Sequence, residues 1–106
     1  MKIQQFEAML EQGRDSPMLR YSLGKLYLEA ENTQQAIVHL ENCLEQDPVY
    51  SAAWSLLGKA YLEAGDVESA RQTWEKGVVA AENKGDIQTM KMMNVFLKRL
   101  DKTVKK

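Results

Sequence analysis

The single histidine, His39, and the single cysteine, Cys43, stand four residues apart. At that spacing two side chains share one face of a helix and offer two ligands to zinc. Two further ligands are not evident, and Cys43 falls on an apolar stripe where a small hydrophobe is wanted, so no metal is expected. One histidine also leaves Ser-His-Asp and metal-bound-water chemistry little to build on. Gly24 and Gly58 fall inside helical patterns rather than in a phosphate-cradling loop. Carboxylates are plentiful, but they lie on polar helix faces with no sign of convergence. The residues predict no catalytic site and no cofactor, and the chain is not read as an enzyme.

The elements that carry these residues are helical. Of the 106 residues, 44% are hydrophobic and 27% charged, an ordinary soluble composition. Leu, Ala, Met, Glu, Gln and Lys abound while Val and Ile are sparse, which favours helix over sheet. The expected fold class is all-α, in one domain. The formal net charge of −1 gives no global case for nucleic acid or an anionic membrane. The charge is uneven, however: residues 1–53 carry four basic and eight acidic side chains, and residues 54–106 carry ten and seven. That division is what chance differences between solvated faces produce, and equally what head-to-tail contacts exploit. One cysteine excludes an internal disulfide and suits a reducing, cytoplasmic setting. The N-terminus lacks an apolar core of signal-peptide length, and the longest aliphatic run, Val78–Ala81, is far short of a membrane span.

Sliding the chain against itself by 34 positions aligns residues 23–30 with residues 57–64, and seven of the eight pairs are identical. The same offset pairs Ala36 with Ala70, Glu41 with Glu75 and Leu40 with Trp74. Such a period marks a repeat architecture. Within each unit two helices are predicted. Ser16 caps the first and Pro17 takes its opening position. Asn32-Thr33 marks the turn, with Gln35 placed to return a bond to the cap. Ala36, Ile37, Leu40, Cys43 and Leu44 form the next face, which Asp47-Pro48 ends. Ala53, Trp54, Leu57, Ala60 and Tyr61 repeat the first face; Val67, Ala70, Trp74, Gly77, Val78 and Ala81 repeat the second. Gly65-Asp66 and Gly85-Asp86 read as stop-and-cap signals. The latter launches a last helix whose stripe is Met90, Met93, Leu97, Leu100 and Val104, and Met92 falls off that stripe. Ile3, Phe6 and Leu10 suggest a leading helix, giving about six in all. Mid-helix glycine costs about 1 kcal/mol relative to alanine, so Gly24 and Gly58 imply close helix approach, with Ala36 and Ala70 as the expected small counterparts. The basic tail, Lys98, Arg99, Lys102, Lys105 and Lys106, reads as cations complementing a helix C-terminus.

These residues resemble the tetratricopeptide repeat, a 34-residue helix–turn–helix unit with the pattern Trp-x-x-Leu-Gly-x-x-Tyr, then Ala, then an aromatic, then Pro. Trp54, Leu57, Gly58, Tyr61, Ala70 and Trp74 match in one unit; Leu23, Gly24, Tyr27, Ala36 and Pro48 match in the other. Arg20, Leu40, Glu31 and Glu82 depart from the pattern. The resemblance implies a right-handed superhelix of α-hairpins: a leading helix over 1–13, repeats at 17–50 and 51–84, and a capping helix at 86–104. It also implies a protein or peptide partner in a concave groove lined by Tyr21, Lys25, Leu28 and Glu29, then Ser55, Lys59, Leu62 and Glu63, then Thr89, Met93 and Phe96. Lys25 and Lys59 would form a local cationic pair for an acidic segment, or else pair with Glu29 and Glu63 four residues on. Tyr21, Ser55 and Lys25 stand where a carboxylate clamp needs other side chains, which disfavours clamping of chaperone C-termini. Neither nucleic acid nor membrane is expected as a partner. The alternative reading is an assembly subunit that self-associates, a homodimer being its simplest form.

Overall fold

Six helices, and no strand among the described residues, make up the chain: α1 (Lys2–Glu11), α2 (Pro17–Glu29), α3 (Thr33–Gln46), α4 (Ser51–Glu63), α5 (Val67–Lys84) and α6 (Ile87–Val104). This is an all-α helical repeat. The computed structural model describes residues 2–104, with side chains through residue 102. Lys105, Lys106 and the side chain of Val104, assigned above to the tail and the last stripe, lie outside the described residues.

Four helices start at a side-chain oxygen that satisfies an orphan amide. Ser16 accepts from the Leu19 N–H at 3.1 Å, with Pro17 in the first helical turn. Asn32 accepts from the Gln35 N–H, Asp66 from Ser69 and Asp86 from Thr89. Gln35 thus takes part in its cap through the backbone amide. Asp86 also accepts from the Ser51 hydroxyl at 2.6 Å, which ties the start of α6 to the start of α4. Gly65 ends its turn at φ 84°, a left-handed conformation free of strain for glycine. Glu31, at the same place one repeat earlier, holds φ 62°, where a side chain costs about 1–2 kcal/mol.

Tight packing within each hairpin comes from a glycine facing a large side chain. A Cβ built on Gly24 would lie 2.5 Å from Leu40 Cγ, and one built on Gly58 would collide with the Trp74 indole. The expected counterparts, Ala36 and Ala70, are fully buried. The bare backbone also makes a seat for Leu40 in one repeat and Trp74 in the next. Trp74 is held there by donation from its Nε1 to the Ser55 carbonyl at 3.0 Å. Two buried clusters result, one around Leu40, Cys43, Leu44 and Leu57, the other around Trp74, Ala81, Met93 and Leu100. Trp54 and Tyr61 pack against both and join them.

Helix α4 lies against α2 and α6, whereas α3 and α5 each pack on α4 without neighbouring one another. Adjacent helices on one side and separated helices on the other curve the stack, hollow on the α2–α4–α6 side. Val67, placed on the inner face of α5 from sequence, is instead 36% exposed at the helix start.

Candidate functional site

The α2–α4–α6 face carries three hollows in a row. The first, about 370 Å³, lies between α1 and α2 and is lined by Phe6, Tyr21, Lys25 and Glu29 among others. The middle one, about 180 Å³, brings Tyr21 of α2 together with Ser55 and Lys59 of α4 and Thr89 and Met92 of α6. The third, about 380 Å³, is enclosed by Lys59 and Leu62 of α4, Val67 and Trp74 of α5, and Phe96, Arg99 and Leu100 of α6. Tyr21 is common to the first two and Lys59 to the last two, so the face is continuous.

Helical phase decides which expected residues reach this face. Tyr21, Lys25, Glu29, Ser55, Lys59, Leu62, Thr89 and Phe96 all line one of the hollows. Leu28 and Glu63 line none of the three; Leu28 is half-buried against the first cluster and Glu63 is exposed beside them. Met93 is a correction. It is fully buried, seated against Gly77 and Trp54, because it sits at the centre of the apolar stripe of α6. Its neighbour Met92, off that stripe, is 41% exposed and takes the place in the middle hollow. Sequence reading also missed the contribution of α1 through Lys2 and Phe6, since α1 carries no repeat signature.

Lys25 lines the first hollow, and Lys59 lines the middle and third. Among the described residues neither lies within ion-pair distance of a carboxylate, so the expected links to Glu29 and Glu63 do not form. Lys59 instead holds its ammonium 5.0 Å from the centre of the Phe96 ring, a cation–π contact. Tyr21 meets Tyr50 with ring centres 5.2 Å apart, which steadies the wall shared by the first two hollows.

A cluster of perturbed titratable groups lies elsewhere, where α1, α2 and α3 meet. Arg20 occupies the position that Trp54 holds one repeat later, and it binds both carboxylate oxygens of Asp15 at 2.9 Å. That contact holds the Asp15 carboxyl down at about 2. Arg20 also lies 3.1 Å from His39 Nδ1. A guanidinium can only donate, so Nδ1 is the acceptor and the proton of the neutral ring sits on Nε2. His39 stacks on Tyr27 with ring centres 5.4 Å apart, and its Nε2 is 3.4 Å from Glu7 Oε2 without hydrogen-bond alignment. Burial, opposed by Glu7 and aided by Arg20, shifts His39 below its ordinary 6.5. Tyr27 donates to Glu7, which pushes its phenol up to about 12. His39 is only 4% exposed, so this cluster joins helices and presents no open base.

The Cys43 thiol is fully buried and raised to about 11 by desolvation, and no group of three or more His, Cys, Asp or Glu among the described residues could hold a metal. Nor is any described helix long and apolar enough to cross a membrane. A further hollow, about 440 Å³, lies on the opposite face between α3 and α5, where Glu41, Glu45, Trp54, Tyr61 and Lys76 meet. Sequence reading gave no sign of it, because it arises from the splay of α3 and α5.

Comparison with known proteins accords with this architecture. The family pattern of the tetratricopeptide repeat matches residues 27–91, more than half of the chain. The chain belongs to the tetratricopeptide repeat family. It is 51% identical over 102 residues to a TPR repeat-containing protein of Pseudomonas aeruginosa, covering 96% of this chain and 97% of that one. The solution structure of a Bordetella parapertussis protein superposes with a TM-score of 0.84 at 46% identity, covering 95% of this chain and 88% of that chain. A crystal structure of a tetratricopeptide repeat domain protein from Salinibacter ruber shares the fold with a TM-score of 0.77 at 24% identity, covering 82% of this chain and 97% of its own. Tetratricopeptide repeat domains generally mediate protein–protein interaction, and typically without catalysis.

Proposed function

We propose that this chain is a non-catalytic interaction module of the adaptor or co-chaperone kind, holding a peptide segment of a partner protein along the α2–α4–α6 face. The observation that carries the reading is the continuity of that face through Tyr21 and Lys59. Lys25 and Lys59 bring positive charge outside ion-pair distance of any described carboxylate, Tyr21, Leu62 and Phe96 bring apolar area, and Ser55 and Thr89 bring hydroxyls. A lone, buried free cysteine fits the reducing conditions of the cytoplasm. The test is to select a binding peptide from a display library on the full chain, then measure its affinity for the Lys25→Glu/Lys59→Glu variant. A loss of about tenfold or more with unchanged helicity is expected, since two opposed charges replace two attractive ones. Unchanged affinity would sink the groove reading. A second reading, self-association, is favoured by the opposite charge excess of the two halves of the chain.

A further inference from the structure

We propose that the third hollow, between α4, α5 and α6, takes one bulky apolar side chain of an acidic partner segment; this rests on the groove reading above and names the chemistry of its ligand. The floor is buried, with Trp74 2% and Leu100 6% exposed, while the walls hold Leu62 at 40% and Val67 at 36%. Leaving such aliphatic groups in water forgoes about 25 cal/mol for each Å² that a ligand would cover. At about 380 Å³ the hollow stands near the small end of ligand sites, which run from about 300 to 1,000 Å³. It suits a leucine- or phenylalanine-sized group better than an acyl chain or a folded surface.

Charge sets the rest of the ligand. Lys59, on the lining of the hollow, lies outside ion-pair distance of any described carboxylate. Lys59 is placed over the Phe96 ring at the junction with the middle hollow, where a segment entering from Tyr21 must pass it. A carboxylate one or two residues from the apolar anchor would meet that ammonium while the side chain enters the bowl. A basic segment would meet that like charge, which selects against it. The cleft between α3 and α5 differs in kind: Glu41 and Glu45 face Lys76 there, and Glu41 already accepts from the Tyr61 hydroxyl.

The experiment is a ¹⁵N-resolved NMR titration of the full chain with a capped pentapeptide, leucine flanked on each side by two glutamates. Saturable shifts are expected at Leu62, Val67, Phe96 and the Trp74 indole N–H. Replacing the leucine with serine, or Leu62→Ser in the protein, should each weaken binding about tenfold, the loss of one buried aliphatic contact. Lys59→Gln should weaken the glutamate peptide but not a glutamine version of it. Shifts confined to Tyr21, Ser55 and Thr89 would overturn this proposal and leave the groove reading standing; no saturable shift on the whole face counts against both. Two further outcomes overturn it. One is peptide-independent, concentration-dependent shifts at Leu62 and Val67, which would make a second copy the occupant. The other is decanoate shifting the same resonances when the peptide does not.

Discussion

Of the glycines, Gly58 leaves the least room for a methyl group, against Trp74, and Gly24 with Leu40 is the same arrangement one repeat earlier. In a helix, alanine would ordinarily gain about 1 kcal/mol over glycine. Here the added methyl would strike a rigid, fully buried indole whose N–H is tied to Ser55, and overpacking of that kind costs about 1–3 kcal/mol or more. Gly58→Ala is therefore expected to lower stability by about 2 kcal/mol in urea denaturation. Gly24→Ala should cost less, since a leucine re-packs more readily than an indole. Equal stability of Gly58→Ala and the natural chain would show that Trp74 is not seated as described. The close approach was legible in sequence from the position of the two glycines. The large side chain seated on each glycine, Leu40 or Trp74, was not. His39 supports a second residue-scale prediction. Its folded pKa lies below the ordinary 6.5, so between those values the unfolded chain binds the proton that the folded chain refuses. Stability is then complete above pH 6.5 and falls as the pH drops toward the folded pKa. Asp15, at about 2, stays ionised throughout and adds no slope. The urea midpoint should fall between pH 7.5 and 5.5, and His39→Gln should flatten that dependence.

At the scale of elements, the helices with a repeat signature were readable and the flanking pair only in outline. Caps and stops placed α2 to α5 because each begins or ends at a residue whose side chain or backbone freedom has a single physical use there. The flanking helices lack those matches, and what each contributes depends on packing. None of the described residues of α1 is fully buried, and the helix is tied to α2 and α3 through Glu7, which accepts from Tyr27 and faces His39. The other end is different. Helix α6 delivers Met93, fully buried, onto Gly77 and Trp54, and packs Phe96 on Trp74 with ring centres 5.0 Å apart. The stripe read from sequence already contained Met93, so assigning it to the groove as well asked one side chain to face two ways. Two full repeats fall short of the usual three, and terminal helices must supply the missing burial. Removing residues 86–106 should leave the second cluster open and the chain unfolded or aggregating. Circular dichroism and light scattering check this: a truncated chain that stays monomeric, helical and cooperative in melting would refute it.

Over the whole molecule, a body of 47 × 29 × 18 Å, composition set the fold class and the period set the repeat, but the shape of the binding face came from elsewhere. Curvature depends on how closely α2, α4 and α6 approach while α3 and α5 stand apart, and no single residue announces that. The continuity of the three hollows and the cleft on the opposite face both follow from it. Charge, by contrast, was readable at once, and it bears on assembly. An acidic first half and a basic second half attract end to end, and such attraction is screened over about 8 Å at physiological ionic strength. Self-association driven by this asymmetry must therefore weaken with salt, whereas association through Leu62 and Val67 would persist or strengthen. Sedimentation velocity at low and high sodium chloride separates these outcomes. A larger species at low salt that dissociates at high salt supports the assembly reading, and its loss on reversing Lys91 and Lys98 to glutamate, both exposed on α6, would locate the contact on the basic half. A monomer at every salt concentration removes the assembly reading and leaves the α2–α4–α6 face to a different protein.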